Sequence, residues 1–148
     1  MQTMDNAQSP VLLLTKDSVW SKQAGEYARK IFGDQLIWVK GAVGDPAPEA
    51  FGLARFRAIL SFLSPWIVPA DVLAKSDLSI NFHPGSCDYP GIGCYNFALY
   101  EGAREFGPVC HHMLPKVDTG VVIQEVLFPI ARDDRVETLK FKTLQTML

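Results

Sequence analysis

The sequence predicts an α/β, Rossmann-like open sheet, mostly parallel, with helices on both faces and an antiparallel C-terminal strand. Three observations carry this expectation. Residues 11–15 and 36–39 are short, almost wholly apolar runs, as produced by strands covered on both faces. The segment between them has apolar positions at helical spacing, and strand, helix and strand on short connections is the signature of a right-handed βαβ unit. Further on, residues 109–113 and 121–128 read as two strands able to pair as a hairpin. With 148 residues, 48% of them hydrophobic, the chain is long and apolar enough for one domain with a substantial core.

Residues 1–10 are polar and read as a loose leader to a domain over residues 11–148. After the first strand, Asp17 or Ser18 can cap a helix whose apolar positions Trp20, Ala24, Tyr27, Ala28 and Ile31 follow helical spacing, and Gly33 stops it. Residues 41–48, rich in Gly and Pro, form a loop, and a short helix over residues 49–53 follows. The third strand covers residues 57–62, and residues 61–65 make a loop able to face a ligand at the carboxyl edge of the sheet. A short helix over residues 69–73 starts with Pro69 at or near its first position. The fourth strand, residues 78–82, brings Asn81 and His83 to the same carboxyl edge, where open α/β sheets place their sites. Tyr95, Ala98, Leu99, Gly102 and Ala103 mark a helix packed on the sheet. Asp133 or Asp134 caps the last helix, with Val136, Leu139, Leu144 and Met147 on one side.

Composition excludes several classes. A net charge of -2 from interspersed acids and bases lacks the footprint of a nucleic-acid binder. The apolar run at residues 11–14 is too short for a signal-peptide core or a membrane span, so a cytoplasmic location and no membrane partner are expected. Three cysteines without CxxC spacing point to free thiols in a reducing compartment. All three cysteines and all three histidines fall between residues 80 and 120. A metal set can be drawn from His83, Cys87, Cys94, Cys110 and His111, but its spacing fits no common zinc pattern, and no metal is expected.

The chemistry concentrates in that stretch. Asn81 and His83, two apart on a strand, project to one face. An amide donor beside an imidazole can grip a carbonyl oxygen and stabilise charge developing on it. Asp118, next to a turn-forming glycine, is the candidate to hold the imidazole or to take a proton from an attacking amine. Each piece alone also has a plain reading: Asn-x-His as a strand end satisfying backbone groups, Asp118 as a turn residue. Trp66 and Phe62 by themselves suit a core as well as a ligand wall. His111 and His112 alternate faces, so at most one points toward His83.

These residues, in order, resemble the formyltransferases that use 10-formyltetrahydrofolate. The resemblance runs through Asn81, His83 and Pro84, then Gly107 with His111, then Asp118, Thr119 and Gly120, and extends more weakly over most of residues 11–148. It implies transfer of a formyl group from 10-formyltetrahydrofolate to the amine of a small-molecule acceptor. Asn81 and His83 would polarise the formyl carbonyl and stabilise the oxyanion, and Asp118 would orient His83 and a water or relay the amine proton. The folate would lie against Phe62, Leu63, Trp66 and Ile67, and against Val117 and Gly120 around Asp118. Ser86, Tyr89 and His111 would face the acceptor, and a homodimer is admitted.

The loop after His83 lacks the Ser-Leu-Leu-Pro and Arg-Gly pieces common in the relatives. No glycine-rich phosphate turn follows the first strand, where Thr15, Lys16, Asp17 and Ser18 stand instead, which argues against a glycinamide ribonucleotide acceptor. No basic surface suggests transfer RNA. The relatives that formylate nucleotide-linked amino sugars resemble the chain best. Two rival readings are a non-catalytic folate or small-ligand binding module and a hydrolase of the formyl donor.

Overall fold

A computed structural model describes residues 9–148, and residues 1–8 of the expected leader lie outside the described residues. Ser9 is buried, and the Pro10 carbonyl accepts from the Arg57 N–H at 2.9 Å. The chain then runs β1 (Val11–Lys16), α1 (Val19–Phe32), β2 (Leu36–Gly41), β3 (Ala58–Phe62), α2 (Ala70–Leu73), β4 (Ser79–His83) and α3 (Cys94–Tyr100). It continues with β5 (Glu105–Phe106), β6 (Val109–His112), β7 (Val122–Glu125), β8 (Phe128–Pro129) and α4 (Val136–Met147). Six strands form one sheet in the order β2-β1-β3-β4-β6-β7. β1 to β4 are mutually parallel, and β6 and β7 add antiparallel. The fold is therefore the open, mostly parallel α/β sheet expected.

Alternation along the strands separates two cores. Leu12, Leu14 and Ile59 pack with Phe51, Phe56, Val68 and Val72 beneath α2, while Val11, Leu13, Ala58 and Phe62 pack with Ala28 of α1 and Met147 of α4. Helices thus cover both faces. A third cluster, Cys94, Ala98, Phe106 and Leu139, joins α3 to α4 over the small β5–β8 sheet.

Several local expectations are corrected or sharpened. In α1 the buried positions are Ser21, Gly25 and Ala28, whereas Tyr27 and Ile31 are exposed. The helix is rolled because the Trp38 ring lies across Gly25, in the space any β-carbon there would occupy. Of the two residues expected to cap α1, Ser18 does so, accepting from the Ser21 N–H at 3.1 Å. Residues 121–128 are not one strand. The ladder to β6 ends where Pro108 offers no N–H, and β8 turns away to pair with β5. The N-cap of α4 is Arg135, one residue after the expected aspartates. Asp134 serves it from outside, its carboxylate accepting from the Ala131 N–H at 2.8 Å and from the Thr138 hydroxyl at 2.9 Å. Residues 49–52 form a 3-10 turn, and Pro69 precedes α2 as its N-cap. Among the described residues no helix is long and apolar enough to cross a membrane.

Candidate active site

A crevice of about 720 Å3 opens at the carboxyl ends of β1 to β4, the place where an open α/β sheet leaves backbone and side chains uncovered. Its apolar wall comes from the segment after β3, with Leu63, Trp66 and Ile67. The Trp66 indole N–H donates to the Pro46 carbonyl at 3.1 Å, and its backbone N–H donates to the Ser64 hydroxyl at 3.0 Å, which holds the ring in place. Facing that wall are Leu114, Val117 and Asp118 from the β6–β7 connection. Two non-glycine residues described have left-handed backbones, Leu63 (φ 53°) and Asp118 (φ 57°), and both line this crevice. Such strain persists where the surroundings impose it, and it collects at functional sites.

The polar end is built from neighbouring strands. Asn81 on β4 and His111 on β6 are directly opposed in the antiparallel register, so their side chains meet on one face, with Asn81 Nδ2 and His111 Nε2 3.3 Å apart. A register shift between Cys110 and His111 marks an irregularity in the β6–β7 ladder beside the crevice. His111 is 5% exposed, and its Nδ1–H donates to the His112 carbonyl at 2.9 Å. Its Nε2 also stands 3.4 Å from Asp118 Oδ1. One ring nitrogen is therefore committed to the backbone, and the other lies between an amide donor and a carboxylate. Neutral, it accepts from Asn81; protonated, it donates to Asp118. The sequence reading sets Asp118 beside His83, but the structure pairs it with His111, since the β6–β7 connection returns over the end of β6. A β-carbon at Gly120 would overlap the His112 carbonyl, so that return closes only on glycine.

His83 ends β4, is buried and lines the same crevice. Its Nε2 contact is the Tyr89 carbonyl at 3.1 Å. Tyr89 and Ser86 do not line the crevice: Ser86 is buried, and the Tyr89 hydroxyl donates to the Glu101 carboxylate at 2.9 Å. Phe62 also turns away, into the core on the α1 side, with its ring centroid 6.0 Å from that of Phe82. Strand alternation is the reason, since Ser61 takes the crevice side. Gly120 lies outside the lining as well. The expected residues that do converge are Asn81, His83, His111, Asp118, Leu63, Trp66, Ile67 and Val117.

Other lining residues went unnoticed in the sequence. Met113 was within reach, since the alternation that turns His111 inward turns Met113 inward too. Lys16, at the carboxyl end of β1, carried the same positional signal as Asn81. Burial and the nearby Lys140 ammonium hold its amine below the ordinary lysine range. Cys94 and Tyr95 enter from the first turn of α3, and burial raises both their pKa values. All three cysteines are free, and among the described residues no group of three His, Cys, Asp or Glu side chains is placed to hold a metal ion.

The formyl transferase family profile matches residues 58–146, more than half of the chain. The chain belongs to the formyl transferase family. The matched stretch starts at β3 and reaches into α4, so it contains Asn81, His83, His111 and Asp118. Among related formyl transferases, the phosphoribosylglycinamide formyltransferase of Escherichia coli is 33% identical over 89 residues, covering 60% of this chain and 39% of that protein. The curated relatives are longer, and the chain spans between 6% and 54% of their lengths. An N-formyltransferase from Helicobacter canadensis, solved with folinic acid and dTDP-3-aminofucose, superposes with a TM-score of 0.78 at 21% identity, over 92% of this chain and 59% of that one. Glycinamide ribonucleotide transformylase 1 from Symbiobacterium toebii superposes with a TM-score of 0.73 at 17% identity, over 99% and 85%. These two likenesses extend the shared fold over β1, α1 and β2, which the family match leaves out.

Proposed function

We propose that this chain transfers a formyl group from 10-formyltetrahydrofolate to the amine of a small acceptor. The observation that carries the proposal is the convergence of Asn81, His83, His111 and Asp118 at one end of a crevice whose other wall is apolar. The crevice volume lies in the range of small-ligand pockets, and Leu63, Trp66 and Ile67 suit a flat ring system. Bound there, the folate supplies a formyl carbon open to attack.

The chain's own residues do the rest. Asn81 has two amide hydrogens; one meets His111, and the second is available to the formyl oxygen. His83 approaches the same oxygen from the end of β4 and, in its protonated form, donates to it beside Asn81, so charge developing there meets two positioned groups. As the amine nitrogen bonds to the formyl carbon, the bond from that carbon to the folate nitrogen breaks. Asp118 accepts the proton that the amine loses, His111 Nε2, 3.4 Å away, is the next station for it, and one proton is returned to the departing folate nitrogen. The water-poor position of His111 strengthens each of these contacts.

For the acceptor, the segment after β1 favours an amino sugar linked to a nucleotide. Ser18 there is occupied in capping α1, and no glycine-rich turn offers a row of N–H groups to a phosphate. The likeness in sequence to phosphoribosylglycinamide formyltransferases supports glycinamide ribonucleotide as the second reading. The test incubates the full chain with 10-formyltetrahydrofolate and a panel of amines from both classes, and follows the mass gain of one formyl group. Asn81→Ala and His83→Ala should abolish that gain while leaving the circular dichroism spectrum unchanged. Near-normal turnover in either variant would sink the mechanism. Formate release without any amine would mark a hydrolase, and folate binding with no product from any amine a binding module.

A further inference from the structure

Residues 84–93, which this mechanism leaves unused, form a strap over His83. A carbonyl oxygen only accepts, so the 3.1 Å contact to Tyr89 requires His83 Nε2 to carry the hydrogen. The residue that carries this carbonyl is held from several sides. The Tyr89 hydroxyl donates to Glu101 at the end of α3, and the Tyr89 ring lies 6.0 Å from that of Phe106, which is fully buried. The Tyr89 N–H donates to the Ser86 carbonyl at 2.9 Å, and the Cys87 N–H donates to the Glu125 carboxylate on β7 at 2.8 Å. Pro90 follows and biases Tyr89 toward extended backbone. A β-carbon at Gly85 would stand 2.9 Å from His83 Nε2 and 3.0 Å from the Tyr89 oxygen, so the strap closes this tightly only over glycine.

We propose that Tyr89 is a positioning residue that fixes the proton of His83. Its carbonyl keeps the hydrogen on Nε2 and leaves Nδ1 as the nitrogen that gains or loses a proton toward a ligand. The alternative tautomer would set two lone pairs against each other in a buried place, the costly arrangement. The ring can thus change from acceptor to donor at Nδ1 without turning. The Glu101 hydrogen bond, with burial adding to it, holds the Tyr89 phenol above its ordinary range, so its hydroxyl stays a donor. The inference rests on His83 acting at the formyl oxygen, as proposed above.

The test is a long-range 1H–15N spectrum of the three imidazoles in the labelled full chain without substrate, assigned with His83→Gln, His111→Gln and His112→Gln. The neutral His83 ring should carry its hydrogen on Nε2 alone. Tyr89→Ala should move both nitrogens toward a common average, Tyr89→Phe should do so by a smaller amount, and Glu101→Gln, which keeps an acceptor, should retain the native pattern. Tyr89→Ala should also lower kcat about tenfold with donor KM within about twofold, a modest share of an acid–base contribution. If Tyr89→Ala does not fold, Tyr89→Phe carries the comparison. A hydrogen on Nδ1 in the native chain, or an unchanged spectrum in folded Tyr89 variants, overturns the inference. The spectrum needs no turnover. The expected tautomer without formyl transfer would overturn the function alone, and the wrong tautomer with normal transfer would overturn this inference alone.

Discussion

At the scale of single residues, Asp118 combines a left-handed backbone with a carboxylate 3.4 Å from a buried imidazole. Asparagine shares the tolerance of aspartate for that backbone conformation, and alanine does not. Asp118→Asn therefore removes the proposed proton acceptor without adding strain. It should lower kcat about a hundredfold, within the span of acid–base contributions, and leave Tm nearly unchanged. Asp118→Ala should match it in kcat and lose about 1 kcal/mol of stability besides, the cost of an unfavourable backbone. Calorimetry beside single-turnover kinetics separates the two effects, and an active Asp118→Asn would remove Asp118 from proton transfer. The sequence made this residue visible through its place in an ordered motif, but not through its partner. Asp118 and His111 meet because the β6–β7 connection returns over the end of β6, and His111 meets Asn81 through an antiparallel register across 30 residues that leaves no mark on local patterning.

At the scale of elements, α4 depends on one carboxylate. Asp134 accepts from Ala131 N–H and Thr138 hydroxyl, and from Lys142 Nζ at 2.7 Å, chiefly the last of which holds its carboxyl below the ordinary aspartate range. A carboxyl depressed on folding contributes stability above its unfolded pKa, and loses it as pH falls through the folded value. Asp134→Asn should therefore cost about 1 kcal/mol at pH 7, and the gap in Tm from the native chain should close progressively below about pH 4. A gap that stays constant down to pH 2 would show that shape rather than charge matters there. α4 carries Leu139 into the third cluster and packs Met147 against the core on the α1 side, so this anchor bears on two clusters at once. The elements themselves were largely legible. Continuous apolar runs give β1 and β2, and Gly33 at φ 53° ends α1. What escaped was tertiary. The inward face of α1 depends on where Trp38 lies, and β8 depends on a two-residue partner, β5, too short to carry any period.

At the scale of the whole molecule, the crevice is bounded by segments far apart in sequence, the end of β3 on one side and the β6–β7 connection on the other. A ligand filling it ties them together and adds to global stability, because the unfolded chain has no such site. Folinic acid, a stable relative of the formyl donor, is the natural probe. At a hundred times its Kd it should add about 2.7 kcal/mol and raise Tm by roughly 5–10 °C for a domain of this size. Trp66→Ala removes the ring from the apolar wall and should cut that shift by more than half. Asn81→Ala should keep most of the shift although turnover is lost, because in the proposed mechanism the polar end acts on the formyl group and the apolar wall carries the ring system. The reverse result, a shift abolished by Asn81→Ala and indifferent to Trp66→Ala, would move the folate out of the wall after β3.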